Sequence, residues 1–558
     1  MSPLLLLIFF VSLLPNTYPI SAPSFPLFTN SRWIVDSTGQ RVKLACVSWA
    51  AHLEPVAAEG LSKQPVDFVA KKVVDLGFNC VRFTWAVQMV TNASVGSITL
   101  RQSLLQLGLN ESVAGVSVNN PELLDLNLVQ VYQEVVAALA RSNLMVILDN
   151  QLSKPGWCCS RYDGNGFFGD EYFDTDEWLS GLKIIATMFT STPNVVGMSL
   201  RNEFRGPNQN LTLWYRYIQE GAEVVHSANP NLLVILSGLN FDLDLSFLLL
   251  KQTTLSFTNK LVYEIHWYEF SNGADWENGN QNNVCASVVK STLLRGGFLL
   301  EQGWPLFLSE FGFDQSGTHL ADNRYLTCFL SVTAEWDLDW ALWALQGSYY
   351  LRDGQVAYDD ESYGLLTRDW CKARNPSFVK RISALQSPLQ GPGLSNKNPY
   401  NLIFHPLTGL CVVMDSPSKP LQLGPCADSK AWNYTSDGKL VVKGTSYCLQ
   451  SVNLGKNAKI GTDCSKPNSK WELLSNSSMH ISSKLHKTGT LLCLDIGSDG
   501  TIITNRCKCL FENGTCSPES QWFKIILSNK DITRGDSNLA LPLVASWLSK
   551  LLLLGFWR

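Results

Sequence analysis

The chain has 558 residues, 45% of them hydrophobic and 16% charged. At about 150 residues per domain that length admits three to four domain-sized units, and one (β/α)8 barrel can take up about 250 residues of it. Such a composition excludes collagen, coiled coil and bulk disorder, and a net charge of −4, from 44 basic and 48 acidic residues, offers nucleic acid no basic field.

In chain order, Leu4 to Leu14 come first as an almost unbroken apolar run. It is too short to span a bilayer, which takes about 20 residues. It reads as the core of a secretory signal over residues 1–22, with a small-residue exit at Ser21-Ala22, although no Lys or Arg precedes Arg32. Asn-x-Ser/Thr sequons at Asn92, Asn110, Asn210, Asn433, Asn476 and Asn513 mark candidate glycosylation sites. The 15 cysteines fit an oxidising compartment, and their odd number leaves at least one thiol unpaired in a monomer. The expected location is secreted, extracellular or cell wall.

Residues 23–385 alternate strand-like and helix-like stretches. The strand candidates are Val42–Ser48, Cys80–Trp85, Leu144–Asn150, Val195–Asn202, Leu232–Gly238, Leu261–Trp267, Pro305–Glu310 and Trp340–Trp343. Several are continuous apolar runs, as expected of parallel strands buried on both faces. Between them, Pro65–Leu76, Leu126–Arg141, Asp176–Thr190, Leu211–Ser227, Val284–Leu300 and Ala321–Asp337 repeat apolar residues at three- and four-residue steps, the mark of amphipathic helices. Eight alternations favour an α/β fold of the closed (β/α)8 TIM-barrel kind over a doubly wound sheet, without deciding between them.

Gln386–Tyr400, rich in Pro, Gly, Ser and Asn, reads as a linker. In residues 401–527 helical periodicity fades, and a smaller all-β domain is expected. Cysteine pairs at Cys411/Cys426, Cys448/Cys464 and Cys493/Cys507 are each followed by a tryptophan, Trp432, Trp471 and Trp522. Units of about forty residues are too small to bury a core alone, so a threefold architecture follows. In the tail, residues 528–558, Pro542 and Lys550 interrupt a largely apolar stretch. A packed or disordered end is expected there, and the chain meets a membrane only if this tail is an anchor signal.

Catalytic groups of a barrel enzyme stand at the C-terminal ends of its strands. There the sequence places Arg82 after strand two, Asn150 after strand three, Asn202-Glu203 after strand four, His266 and Tyr268 after strand six, Glu310 after strand seven and Trp343 on strand eight. Two facing carboxyls are what cleavage of a glycosidic bond needs, one to protonate the leaving oxygen and one to attack the anomeric carbon or activate water. Their pKa values must be held apart. Arg82 can keep a nucleophile ionised and Tyr268 can hydrogen-bond it. Asn202 can hold a sugar 2-hydroxyl, and Trp343 can face a sugar ring. Burying a carboxylate at the end of an apolar strand costs several kcal/mol unless it is paired, which argues against a purely structural role for both glutamates.

In this ordered set the chain resembles glycoside hydrolase family 5, the cellulase and mannanase family of retaining (β/α)8 enzymes. The resemblance covers about Arg32–Ala384 and implies Glu203 as acid/base, Glu310 as nucleophile, and the other strand-end residues as substrate-binding. Phe204 stands where many members have Pro, and Asn150 where a His is common. The cysteine and tryptophan repeat resembles the ricin B-type β-trefoil lectin, with Lys430, Ser469 and Ser520 at the Gln of its Gln-x-Trp signature and an extra Cys509/Cys516 loop. That resemblance implies carbohydrate as the partner of the C-terminal domain, with Asp495 as its best sugar-binding candidate.

The long loop Ser153–Tyr172 could form a carbohydrate platform through Trp157, Tyr162, Phe167, Phe168 and Tyr172, and Asn272–Asn283 a second wall of the cleft. Adjacent Cys158 and Cys159 are expected to cross-link elsewhere. No Cys/His cluster has zinc spacing, and neither metal nor cofactor is expected. The leading expectation is a secreted retaining hydrolase of β-linked glucan, cellulose or mannan. The alternative is a non-catalytic, lectin-like extracellular protein. A serine hydrolase lacks support, since no Gly-x-Ser-x-Gly elbow is present. Sugar, linkage, and endo or exo attack depend on loop shape.

Overall fold

A computed structural model describes residues 23–394, 398–485, 489–511 and 514–530. The signal over 1–22, the tail beyond residue 530 and the Asn513 sequon lie outside the described residues. The eight apolar runs form strands β1 (Ala45–Trp49), β2 (Cys80–Ala86), β3 (Met145–Leu152), β4 (Val195–Ser199), β5 (Leu233–Leu236), β6 (Leu261–His266), β7 (Leu306–Phe311) and β8 (Asp339–Leu342). All are parallel to their neighbours, and β8 closes on β1. Closure settles the choice between barrel and open sheet.

Side chains alternate across these strands, so the apolar residues divide into two separate cores. Val81, Phe83, Val146 and Leu148 belong to a large cluster with helix residues such as Val69, Val73, Val131 and Val135. Cys80, Met145, Ile147, Val262 and Phe307 form a smaller cluster that contains no residue of the flanking helices and fills the barrel. A Cys46–Cys80 disulfide ties β1 to β2 within it. The helices are α1 (Val66–Asp75), α2 (Leu128–Arg141), α3 (Thr175–Met188), α4 (Leu211–Ala228), α5 (Gln281–Thr292), α6 (Leu320–Trp336) and α7 (Pro376–Ile382). The helix read through Leu300 breaks after Thr292 into a π-turn, Leu293–Gly297, where a Cβ on Gly296 would come 2.9 Å from the Ile265 side chain.

At the N-terminal end of the barrel, Lys43 pairs with Asp337 at 2.7 Å and Arg41 with Asp339 at 2.9 Å, all four buried. Asp337 also accepts the Leu389 and Gln390 amides at 2.9 and 2.8 Å. The segment read as a linker is thus bound along the barrel floor, because its free amides meet a fixed carboxylate there.

The C-terminal part is all β, with its first and last strands, Tyr400–His405 and Lys524–Ser528, paired antiparallel. All three expected disulfides and the Cys509–Cys516 loop form, and Trp432, Trp471 and Trp522 are fully buried. Cys371 is the free cysteine among the described residues. This domain packs on the barrel: Tyr400, Leu402, Met479 and Trp522 join the main core. Asn280 and Asn282 each donate to Cys509 O at 3.0 Å, and Trp522 Nε1 donates to Asn282 Oδ1 at 2.9 Å. The stretch expected as a second cleft wall, Asn272–Asn283, therefore serves mainly as a dock, the Asn280 and Asn282 amides meeting the buried Cys509 carbonyl.

Candidate active site

At the C-terminal ends of the strands lies a cleft of about 630 Å³. Glu203, His266, Tyr268, Glu310 and Trp343 line it, carried there by β4, β6, β7 and β8 and the turns that follow them. One oxygen of Glu203 and one of Glu310 come within 4.8 Å of each other, with His266 within the same distance of both. Glu203 adopts φ 48°. Its amide donates to Asp242 Oδ2 at 2.9 Å, which turns the side chain into the cleft.

Glu310 is held from both sides. Arg82 donates to its Oε1 at 2.7 Å and Tyr268 OH to its Oε2 at 2.9 Å. Burial opposes ionisation of Glu310, but His266 and Arg82 outweigh it, with the two hydrogen bonds adding to them, and the carboxyl is lowered below its ordinary range. Burial and the nearby Glu310 push the Tyr268 hydroxyl well up, so it remains a donor. His266 Nδ1 lies 2.8 Å from Glu203 Oε1 and 3.7 Å from Glu310 Oε2. Burial works to lower its pKa, yet Glu310, Glu203 and Asp242 raise it to about 9.

Arg82 and Asn202 are fully buried and do not line the cleft. Arg82 reaches Asp149 at 2.8 Å and Asn202 Oδ1 at 2.8 Å besides Glu310, so it positions the carboxylate rather than meeting solvent. Asn202 keeps its Nδ2 toward the loop after β3. Asn150 is a correction: fully buried, it donates to Leu152 O at 3.1 Å and accepts from Arg201 at 3.3 Å, so internal partners consume both ends of its amide. Phe204 is fully buried and packs on Phe167 and Phe168 at 5.5 and 5.1 Å between ring centroids. That packing removes the two loop phenylalanines from the expected platform. Tyr162 is 75% exposed, and Trp157 alone of the platform aromatics lines the cleft.

A second correction concerns Cys158 and Cys159, which join each other. Every other cysteine except Cys371 is bonded elsewhere, and the vicinal pair faces Asn202 Nδ2 at 3.7 and 3.5 Å. A third is Asp495. Its side chain is only 4% exposed and accepts from Asn505 and Gln521 at 3.0 Å each, so it ties the third repeat together instead of meeting a sugar. Sequons at Asn110, Asn210, Asn433 and Asn476 are exposed, whereas Asn92 is half-buried and caps a short helix.

Several site residues escaped the sequence reading. Burial pushes Asp149 up to about 7 against the pull of Arg82. Burial also pushes Asp242 well above the carboxylate range, although His266 lies 3.5 Å away. Parity was the available signal for Asp149: it pairs with Thr84, two positions from Arg82, on the inward face. His52, on the loop after β1, lines the cleft and bonds Thr84 Oγ1 at 2.7 Å. Burial lowers its pKa to about 3 and keeps it neutral. Tyr349, Arg352, Glu361 and Tyr363 enter from the loop after β8, where no periodicity announced them.

A (β/α)8 barrel with two glutamates this close at its strand ends, one ionised against an arginine, defines a glycoside hydrolase. Residues 35–348 match the model of the cellulase family, glycosyl hydrolase family 5, and residues 400–513 that of the ricin-type β-trefoil lectin domain. The chain is 46% identical over 532 residues to a glycosyl hydrolase 5 family protein of Chamaecyparis obtusa, covering 92% of this chain and 95% of that one. An endoglucanase of Paenibacillus polymyxa is 22% identical over 258 residues, 43% of this chain and 59% of its own. Among solved structures, the hyperthermophilic endocellulase of Pyrococcus horikoshii superposes with a TM-score of 0.52 at 17% identity, over 66% of this chain and all (100%) of that one, and shares the fold. The chain belongs to glycosyl hydrolase family 5, with a ricin-type β-trefoil appended, and is a glycosidase.

Proposed function

We propose that this enzyme is a secreted hydrolase of β-linked glucan that works by double displacement with retention at the anomeric carbon. The observation that carries the reading is the approach of the Glu203 and Glu310 oxygens within 4.8 Å. Retaining pairs lie about 5–5.5 Å apart, whereas inverting pairs leave room for a water at about 6.5–9.5 Å.

In the first step a Glu310 oxygen attacks C1 of the sugar, the bond from C1 to the leaving oxygen breaks, and Glu203 gives that oxygen its proton. In the second, Glu203 takes a proton from water as the water oxygen attacks C1 and the Glu310 carboxylate departs, which restores both groups. Arg82 and Tyr268 hold Glu310 charged and aimed before the attack. The protonated His266 hydrogen-bonds Glu203 and fixes its orientation. The 2-hydroxyl is assigned to Asn202 Nδ2, which must leave the Cys158 and Cys159 sulfurs at 3.7 and 3.5 Å to reach it, and Trp343 offers the sugar ring an apolar face.

Glucan is favoured by the related proteins named endoglucanase and endocellulase. Secretion is supported by the apolar leader, the disulfides and the exposed sequons. The trefoil, packed on the barrel, brings the cleft to a carbohydrate surface. Assaying the purified chain on cellulosic, mixed-linkage and mannan substrates, and following the fresh product by proton NMR, tests the reading. The β-anomer should appear first from a glucan. First appearance of the α-anomer, or cleavage of mannan alone, would reject it.

A further inference from the structure

Three loops meet at one end of the cleft. Trp157, from the loop after β3, packs edge-on against Tyr349, from the loop after β8, with ring centroids 5.3 Å apart. Arg352 covers both rings, at 5.4 and 5.7 Å. Glu54, from the loop after β1, fills the gap beneath: a Cβ on Gly156 or Gly354 would stand 3.7 or 3.0 Å from its Oε1. Tyr349 and Trp157 pack with Ala50, Leu53 and Trp343 in a cluster of their own.

The barrier is built to stay. The Tyr349 hydroxyl donates to the buried Glu361, and the Tyr350 amide donates to the buried Glu59 at 2.6 Å. Arg352 donates to Asp360 O at 2.8 Å and lies 3.4 Å from Asp359, while the Tyr349 amide bonds Asp359 O at 3.0 Å. Two buried carboxyls and a short hairpin, Leu351–Arg352 with Val356–Ala357, thus anchor one side of the contact.

Which end of the substrate faces this barrier follows from the reaction. The sugar attacked by Glu310 is the glycone, and the double-displacement reading assigns its 2-hydroxyl to Asn202. Asn202 Nδ2 points at the Cys158–Cys159 disulfide, next in sequence to Trp157. Trp343, which faces the same ring, lies in one segment and one cluster with Tyr349. The barrier is therefore on the glycone side. The leaving group departs past Glu203 toward Phe241, Leu243 and Phe270, which come from the loops after β5 and β6.

We infer that the glycone side of the cleft is a dead end holding one or two sugar units, so that this enzyme removes short units from the non-reducing ends of its chains. This rests on the retaining glucanase reading and deepens it, since related proteins of this fold are named for internal cleavage.

The test uses the full chain with cellohexaose, laminarihexaose and mannohexaose, each reduced to the alditol at its reducing end, and analyses early products of whichever is cleaved fastest by mass. Monosaccharide or disaccharide without alditol should make up nearly all the released sugar from the first time point. In the Trp157→Gly, Arg352→Gly double variant, alditol-free trisaccharide and longer products should rise at least about tenfold. Should that variant fail to fold, the wild-type product pattern decides alone. Alditol-free trisaccharides and tetrasaccharides as the first wild-type products, or a folded variant with an unchanged pattern, would overturn the inference. Cleavage of none of the three would instead overturn the functional reading beneath it, a different result from cleavage at the wrong place.

Discussion

The two ends of the barrel bury the same residue types and use them in opposite ways. At the N-terminal end, Asp337 meets Lys43 and two backbone amides, while Asp339 meets Arg41 and the Leu44 amide at 2.8 Å. Burial opposes the Asp337 charge, but Lys43 and Arg41 hold its carboxyl below the usual range. At the C-terminal end, Arg82 is shared among Asp149, Glu310 and Asn202. Asp149 receives no hydrogen bond beyond that ion pair, and Asp242 Oδ1, Glu264 Oε2 and His266 Nε2 are left without a hydrogen-bond partner. Buried polar groups are normally satisfied, and clustered exceptions mark sites that trade stability for chemistry. One end braces the chain, and the other holds carboxyls ready to exchange protons.

Breaking the catalytic end should cost rate and spare the fold. Glu310→Gln removes the nucleophile with little change of shape, and kcat should fall by at least about 10⁴-fold in steady-state assays while the thermal midpoint stays put. Substantial residual activity would contradict the assignment. Glu203→Gln should cost about 10²–10⁴-fold on an oligosaccharide. It should cost much less in the glycosylation step for an aryl glycoside whose leaving group needs no proton, a contrast visible in pre-steady-state bursts.

Breaking the bracing end should do the reverse. Asp337→Ala strands the buried Lys43 charge and two amides, and chemical denaturation should report a loss of about 3–5 kcal/mol. The kcat/KM of the folded fraction should be unchanged. An altered kcat/KM would show that the two ends are coupled.

The smallest effects are in pH. A carboxyl whose pKa is lowered stays charged until the pH falls to that value, so the acidic limb of kcat/KM should lie below the ~4.3 of a free glutamate. Tyr268→Phe, which removes one bond to Glu310, should move that limb upward by up to about one unit. His266 is raised, so its favourable charge is complete below about 6.5 and fades as pH climbs through about 9. The alkaline limb should follow it.

Sequence revealed the strand ends better than what surrounds them. Glu203, His266, Tyr268 and Glu310 were legible because each closes a long apolar run, where a buried polar group demands an explanation. Asp149 closes the same kind of run beside Asn150, and only period-two alternation, which sets it on the inward face with Arg82, separates the two. Asn150 was misplaced for the related reason that adjacent residues on a strand face opposite ways. The Cys158–Cys159 pair and Asp495 were misjudged because pairing and burial are settled by distant neighbours. Tyr349, Arg352 and Glu361 belong to a loop shaped by tertiary contacts, which no local pattern encodes.

The most direct test of the pairing at the cleft is covalent trapping. The chain should be inactivated with a 2-deoxy-2-fluoro glycoside of the sugar it cleaves fastest, then digested and mapped by mass spectrometry. The adduct should be found on the peptide bearing Glu310 and on its side chain. An adduct on Glu203, or on a residue outside the cleft, would contradict the account.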